Sequence, residues 1–163
     1  MIGLGFDMHQ LKKGRKLVLG GVTIPYSKGL DGHSDADILT HAFIDALLGS
    51  VGQGDIGRMF GTHEPETKNI ASTVLLSKVM PLLRGYKIIN ADATVIAEEP
   101  KIAPHIPAMK KVLGKIMKIN SELLNIKGTT AKGLGPIGKK QAMAALVVVQ
   151  IEKVKSKKPK VKS

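Results

Sequence analysis

At 163 residues the chain suits a single domain with room for a real hydrophobic core. It has no cysteine, which excludes disulfides, zinc ribbons and thiol nucleophiles, so any metal site must be built from histidine and carboxylate. Aromatic residues make up only 3% and Trp is absent, which argues against base-stacking nucleic-acid folds, although the net charge of +12 points the other way. Much of that charge sits in residues 153–162, a stretch of Lys, Ser, Val and Pro without a period. Residues 154–163 are therefore expected to form a disordered basic tail. A solubilising frayed end is the simpler reading, and a weak polyanion contact is the alternative. Patterned sequence begins at Ile2 with no visible signal peptide, and no stretch is long and apolar enough to span a bilayer. A cytoplasmic location is expected.

In chain order, residues 2–8 read as a strand. Residues 16–19 and Val22–Ile24 flank Gly20-Gly21 as a hairpin, and a loop containing Pro25, Gly29 and Gly32 follows. Ser34 is a good N-cap with Asp37 three residues on, a variant of the capping box, and it opens a helix. In that helix Ile38, His41, Ala42, Asp45 and Leu48 share roughly one face, and Leu39, Phe43, Ala46 and Leu47 form the adjoining stripe. Gly49 and Gly52 end it. Residues 53–69 form a loop long enough to be a mobile lid or substrate loop. Residues 70–83 read as a second helix, bent at Pro81 and closed by Gly85. Residues 87–97 read as a strand, and Ile106–Met117 as a helix with Pro107 in its first turn. A short turn at 121–123, a strand at 126–130 and a last strand at 142–154 complete the chain. The apolar centre of the last strand suggests burial on both faces. The expected fold is a single α/β (α+β) domain over residues 1–153, with a mixed four-stranded sheet, an N-terminal hairpin and helices packed on one face.

Several clusters carry chemistry. In Asp7-Met8-His9, residues two apart on a strand point to the same side, so a carboxylate and an imidazole share a face. His41 lies inside the first helix on a face expected to be partly buried, where a histidine can simply be a satisfied core residue. Joined with Asp7 and His9 it completes two histidines and one carboxylate, the ligand set of a catalytic zinc with an open fourth position. Asp31-Gly32-His33-Ser34-Asp35-Ala36-Asp37 crowds polar groups at the same helix N-terminus, which favours anions. Asp55-Ile56-Gly57 is either a helix-end turn or a carboxylate for substrate hydroxyls. The loop from Ala97 to Pro107 has three prolines before its helix and Lys101, suiting a shaped pocket for a flat ligand or a plain strand-to-helix link. Thr129-Thr130-Ala131-Lys132 and the glycines around them suit phosphate contact or a flexible loop; the spacing is not that of a Walker sequence.

Taken in this order, the pieces closely resemble the 2-C-methyl-D-erythritol 2,4-cyclodiphosphate synthase family. The resemblance rests on Gly5-Phe6-Asp7-Met8-His9, Gly20-Gly21-Val22-Thr23-Ile24-Pro25, His33-Ser34-Asp35-Ala36-Asp37 with His41, Asp45-Ala46-Leu47-Leu48-Gly49, Gly54-Asp55-Ile56-Gly57, and Pro100-Lys101 through Pro104-His105-Ile106-Pro107. It implies a homotrimer with active sites at subunit interfaces. It also implies an intramolecular phosphoryl transfer on a cytidine-diphospho-methylerythritol 2-phosphate, releasing CMP, in the non-mevalonate route to isoprenoids. By resemblance Asp7, His9 and His41 match the zinc ligands, and His33 and Thr130 match positions that stabilise the transition state. Ser34, Asp55, Ile56 and Gly57 match substrate contacts, and Phe60, Gly61, Thr62, His63 and Glu64 match a mobile lid. Ala97, Pro100, Lys101, Ile102 and Ala103 match the cytidine pocket. Thr129 and Thr130 match a diphosphate clamp expected from a neighbouring subunit, with Lys132, Pro136 and Lys139 beyond it. Where the family carries a glutamate for a Mg²⁺ or Mn²⁺ bridging the diphosphate, this chain has Lys132, and Pro136, Lys139 and Gln141 also depart from the family pattern. Dependence on the second metal is therefore expected to be weakened or altered. A metal-dependent phosphohydrolase using the same triad and a basic nucleic-acid-binding domain are the alternative readings.

Overall fold

Strict alternation governs the first strand. In β1 (Ile2–Lys13) Gly3, Gly5, Asp7, His9 and Leu11 turn toward the helices, while Ile2, Leu4, Phe6 and Met8 turn away and stay exposed. The computed structural model describes residues 1–61, 65 and 68–154; Thr62, His63 and Glu64 of the expected lid, and residues 155–163 of the expected tail, lie outside the described residues. β1 runs on to Lys13 because it has a partner there: β4 (Lys28–Leu30) pairs antiparallel with Leu11, Lys12 and Lys13. Gly29 allows the approach, since a Cβ at that position would lie 2.2 Å from the Lys16 carbonyl oxygen. The loop expected around Pro25, Gly29 and Gly32 thus supplies a fifth strand, and the sheet has five strands where four were expected. The anticipated hairpin, β2 (Leu17–Leu19) with β3 (Val22–Ile24), forms a separate two-stranded sheet.

The main sheet is completed by β5 (Tyr86–Ile96), β6 (Leu124–Thr129) and β7 (Ala142–Lys153), in the order β4-β1-β7-β5-β6. β7 lies between β1 and β5 and is antiparallel to both, whereas β6 runs parallel to β5. That parallel pair needs a crossover, which α4 (Ile106–Met117) provides with the bounds the sequence predicts. The other helices are α1 (Ile38–Ser50), α2 (Ile56–Phe60), α3 (Ser72–Val79) and the single turn α5 (Gly135–Gly138). The expected bend at Pro81 is a change of helix type, from α3 to a 3₁₀ turn at Met80–Leu83. α2 falls inside the stretch read as loop. Among the described residues, no helix is long and apolar enough to cross a membrane.

α1 is buried nearly all round and packs on β1 and β7. It sits unusually close to β1 because Gly3 and Gly5 carry no side chain: a Cβ would fall 1.8 Å from Ala46 O and 1.9 Å from Ala42 O, respectively. The helix starts later than the sequence predicts. Its N-cap is Asp37, not Ser34, and Gly49 lies within its last turn instead of ending it. The reason is tertiary. Asp37 is fully buried, and its carboxylate accepts from Thr40 N at 3.0 Å, Thr40 Oγ1 at 2.6 Å, Gly20 N at 2.8 Å and Gly21 N at 2.7 Å. One side chain caps α1 and anchors the β2–β3 turn, a combination with no local sequence signature. β7 differs from expectation in part: Ala142, Met143, Ala144 and Ala145 are buried on both faces, but from Leu146 onward only one face is buried. Leu146 and Val148 are 39% and 40% exposed and continue the apolar surface of Leu4 and Phe6 across the outer side of the sheet.

Candidate active site

The close seating of α1 on β1 brings His41, one residue before Ala42, over Asp7, two residues after Gly5. Asp7 Oδ2 lies 2.9 Å from His41 Nδ1 and 3.2 Å from His9 Nε2. One ligand atom from each of the three residues lies within 4.8 Å of the other two. The ring centroids of the histidines are 5.9 Å apart and nearly edge to face. His9 is oriented from behind, its Nδ1 donating to Asp31 O at 2.5 Å, so that Nε2 is the nitrogen turned to the shared site. Gly32 makes room for that ring; a Cβ there would lie 2.9 Å from His9 Cε1. Burial alone would raise the Asp7 carboxyl, but hydrogen bonds and charge from His41 and His9 outweigh it and hold the pKa at about 2. The His9 imidazole is raised, chiefly by its hydrogen bond to Asp7 and against its own burial. Two imidazoles and a carboxylate converging on one point are a donor set that fits a divalent metal of the zinc type.

The triad forms the floor of a cavity of about 330 Å³. His33, Ser34, Ile56, Gly57, Phe60 and Gly61 line it with the triad, so these expected site residues share one cavity. Asp55 does not line it. It is exposed and caps α2, accepting from Arg58 N at 2.8 Å, which is the helix-terminus role weighed for it from sequence. Asp45 and Leu75 line the cavity without having been assigned a role. Asp45 follows His41 by one helical turn, a spacing that already put both on one face of α1. Its half-buried carboxyl is raised by desolvation and accepts Ile56 N–H at 2.8 Å, tying α1 to α2.

A second cavity of about 220 Å³ gathers Ala97, Pro100, Lys101, Ile102 and Ala103 with Thr129 and Thr130. Consecutive carboxylates hold its two walls together: Glu98 Oε1 accepts from Gly133 N at 3.2 Å, and Glu99 Oε1 pairs with Lys140 Nζ at 2.6 Å. The Glu99–Pro100 bond is cis. Lys132, Pro136 and Lys139 are exposed and line neither cavity; the Lys132 backbone N–H donates to Thr130 Oγ1 at 3.3 Å. The pairing register puts Thr129 beside Ile96, Ile96 beside Ala144 and Ala144 beside Met8. Three strand spacings therefore separate the second cavity from the triad within one chain, about 14 Å.

Fold and site together define a mixed-sheet α/β domain with a two-histidine, one-carboxylate cluster that could hold a metal, beside a separate pocket of threonines and lysine. Residues 1–152 match the YgbB family, and the chain belongs to it. The 2-C-methyl-D-erythritol 2,4-cyclodiphosphate synthase of Clostridium botulinum (strain Hall) is 51% identical over 153 residues, covering 93% of this chain and 99% of that protein. Among solved structures, the bifunctional IspDF of Campylobacter jejuni matches with a TM-score of 0.90 at 37% identity, covering 94% of this chain; this chain spans 42% of that longer protein. The IspF–CDP complex of Plasmodium falciparum matches with a TM-score of 0.84 at 32% identity, covering 94% and 96% of the two chains.

Proposed function

We propose that this chain is a 2-C-methyl-D-erythritol 2,4-cyclodiphosphate synthase, a phosphorus–oxygen lyase of isoprenoid precursor synthesis that works in the cytoplasm with zinc on Asp7, His9 and His41. The observation that carries the reading is the convergence of those three ligand groups on the floor of a cavity that His33 and Ser34 also line. Bound zinc would polarise a phosphoryl oxygen of the substrate. The rest is done by the chain itself. An oxygen of the 2-phosphate attacks the β-phosphorus, the bond from that phosphorus to the bridging oxygen breaks, and CMP leaves with the electron pair. Such a reaction asks the protein mainly for positioning and charge neutralisation. His33 and Thr130 meet the developing charge. Ser34, Ile56 and Gly57 hold the erythritol side, with Phe60 and Gly61 beside them. The backbone from Ala97 to Ala103, with Lys101, receives the cytidine, and Thr129 and Thr130 clamp the diphosphate.

The 14 Å estimated between the two pockets supports a homotrimer in which one subunit's triad works with the next subunit's threonines. The exposed apolar surface of Ile2, Leu4, Phe6, Leu146 and Val148 supplies a face for that association. The domain is taken to end at Lys153, with the basic tail outside the reaction. Lys132 adds a specific expectation. An ammonium cannot ligate a cation, though it can neutralise phosphate charge directly. With zinc saturating, wild-type activity is expected to depend weakly on Mg²⁺ or Mn²⁺, and Lys132→Glu to restore a steep dependence; equal magnesium affinity in the two proteins overturns it. The function itself is tested by incubating the zinc-loaded protein with the cytidylyl substrate and following ³¹P NMR. CMP and the cyclic diphosphate are expected in equal amounts; release of inorganic phosphate would favour a phosphohydrolase, and a folded, zinc-loaded trimer that forms neither product refutes the synthase reading.

A further inference from the structure

Whether the inner nitrogens of the two histidines can face a metal depends on what their outer nitrogens touch. His9 is held by a backbone carbonyl, but His41 is held from behind by side chains alone. Its Nε2 lies 2.8 Å from Ser72 Oγ and 3.2 Å from Ser34 Oγ. Ser72 Oγ in turn donates to Asp35 Oδ1, and Asp35 Oδ2 accepts the Ser72 backbone N–H at 3.0 Å. An ionised carboxylate only accepts, so the Ser72 hydroxyl proton is committed to Asp35 and the oxygen lone pairs are left for His41. With a metal on Nδ1, His41 then donates from Nε2 to Ser72; without one, the Asp7 carboxylate at 2.9 Å holds a proton on Nδ1. We infer that Asp35 and Ser72 are positioning residues of the metal site, a relay that sets the tautomer and ring orientation of His41. The inference rests on the reading that Asp7, His9 and His41 hold a metal.

The helix itself gives Ser72 no other task. It is the first residue of α3, whose N-cap Ala71 offers no side-chain capping bond, so the Asp35 carboxylate takes up the Ser72 N–H instead. Ser72 is nevertheless fully buried. The Asn69 N–H donates to His33 O at 2.9 Å and the Asp35 N–H to Ile70 O at 3.1 Å, stitching the two segments together backbone to backbone. Ser72 thereby reaches His41 in a defined register. Ser34 is the more distant of the two hydroxyls and already accepts from Ala36 N at 3.2 Å. His41 is thus held from three elements: β1 through Asp7, α1 through its own backbone, and α3 through Ser72.

Partners of this kind sharpen metal affinity, by roughly 10- to 100-fold where they have been removed from histidine ligands. Zinc affinity should be measured by competition with a chromophoric chelator for the wild type, Ser72→Ala and Asp35→Asn, alongside the melting temperature of each metal-free protein. Both variants are expected to lose affinity by roughly that factor while remaining folded. Proton NMR of the zinc-loaded wild type is expected to show a solvent-protected, downfield imidazole N–H from His41 Nε2, which Ser72→Ala loses. Wild-type zinc affinity in both variants overturns the relay. So does absence of the protected N–H in the wild type, a measurement that needs no variant to fold. A wild type that binds no zinc overturns the metal reading instead.

Discussion

Asp7 and His9 are the residues where protonation, metal binding and stability meet. With Asp7 held at about 2, the metal-free protein gains stability above the ordinary value of 3.8 and loses it as pH falls toward 2. With His9 raised above 6.5, its contribution is fully present below 6.5 and is lost as pH rises through the raised value. Metal binding runs the other way, because zinc must displace that proton. Zinc affinity is therefore expected to climb across the His9 range, by about tenfold per pH unit for each proton displaced, while the metal-free protein becomes less stable. Calorimetric zinc titrations and melting curves at matched pH check both trends; parallel trends would show that His9 is not a ligand. The strand spacing of Asp7 and His9 was legible because alternation is a local rule. The partner of His41 was not: Ser72 lies 31 residues away, and nothing in its surroundings distinguishes it from any serine that starts a helix.

At the scale of elements, the seating of α1 on β1 decides whether the triad exists. Gly5→Ala places a methyl carbon 1.9 Å from Ala42 O, which neither strand nor helix can accommodate without moving apart. The expected cost is about 2–3 kcal/mol in urea denaturation, together with weakened zinc binding as His41 is carried away from Asp7. Gly49→Ala is the control. It lies in the same helix, exposed, with nothing within 4 Å of an added Cβ, so a gain of about 0.5–1 kcal/mol with unchanged zinc affinity is expected. From sequence Gly49 read as a helix end and Gly5 as one more strand position, with no sign of which would meet a neighbouring backbone. The same limit explains the late start of α1. Ser34 and Asp37 both look like N-caps, and the choice fell to Asp37 because Gly20 and Gly21 bring two more donors to it. β4 was missed for a related reason: three residues around a glycine carry no alternation, and only β1 defines them as a strand.

For the whole molecule, the outer face of the sheet is the unfinished surface. Leu4, 63% exposed, and Phe6, 53% exposed, lie beside Val148 and Leu146 on the side away from the helices. Leu4→Asp leaves the core untouched and puts charge in the middle of that patch. The expected result by light scattering is loss of the proposed trimer. Activity should fall with it, and zinc binding should survive, because the triad lies within one chain while the second pocket is about 14 Å away. A monomer with full activity would show that the two pockets work within a single chain.

The sequence by itself determined the local rules: which residues alternate in β1 and share a face of α1, where α4 begins and ends, and that a metal site here must use histidine and carboxylate. The family motifs carried the reaction. Only the tertiary structure decided the number of strands, the residue that caps α1, the exposed face of β7, and the division of the site into two cavities. Those features depend on contacts between segments far apart in the chain, where a missing Cβ or a buried carboxylate acts on a partner that no local pattern names. Asp7, His9 and His41 needed both: spacing put each on the correct face, and Gly3 and Gly5 brought the faces together.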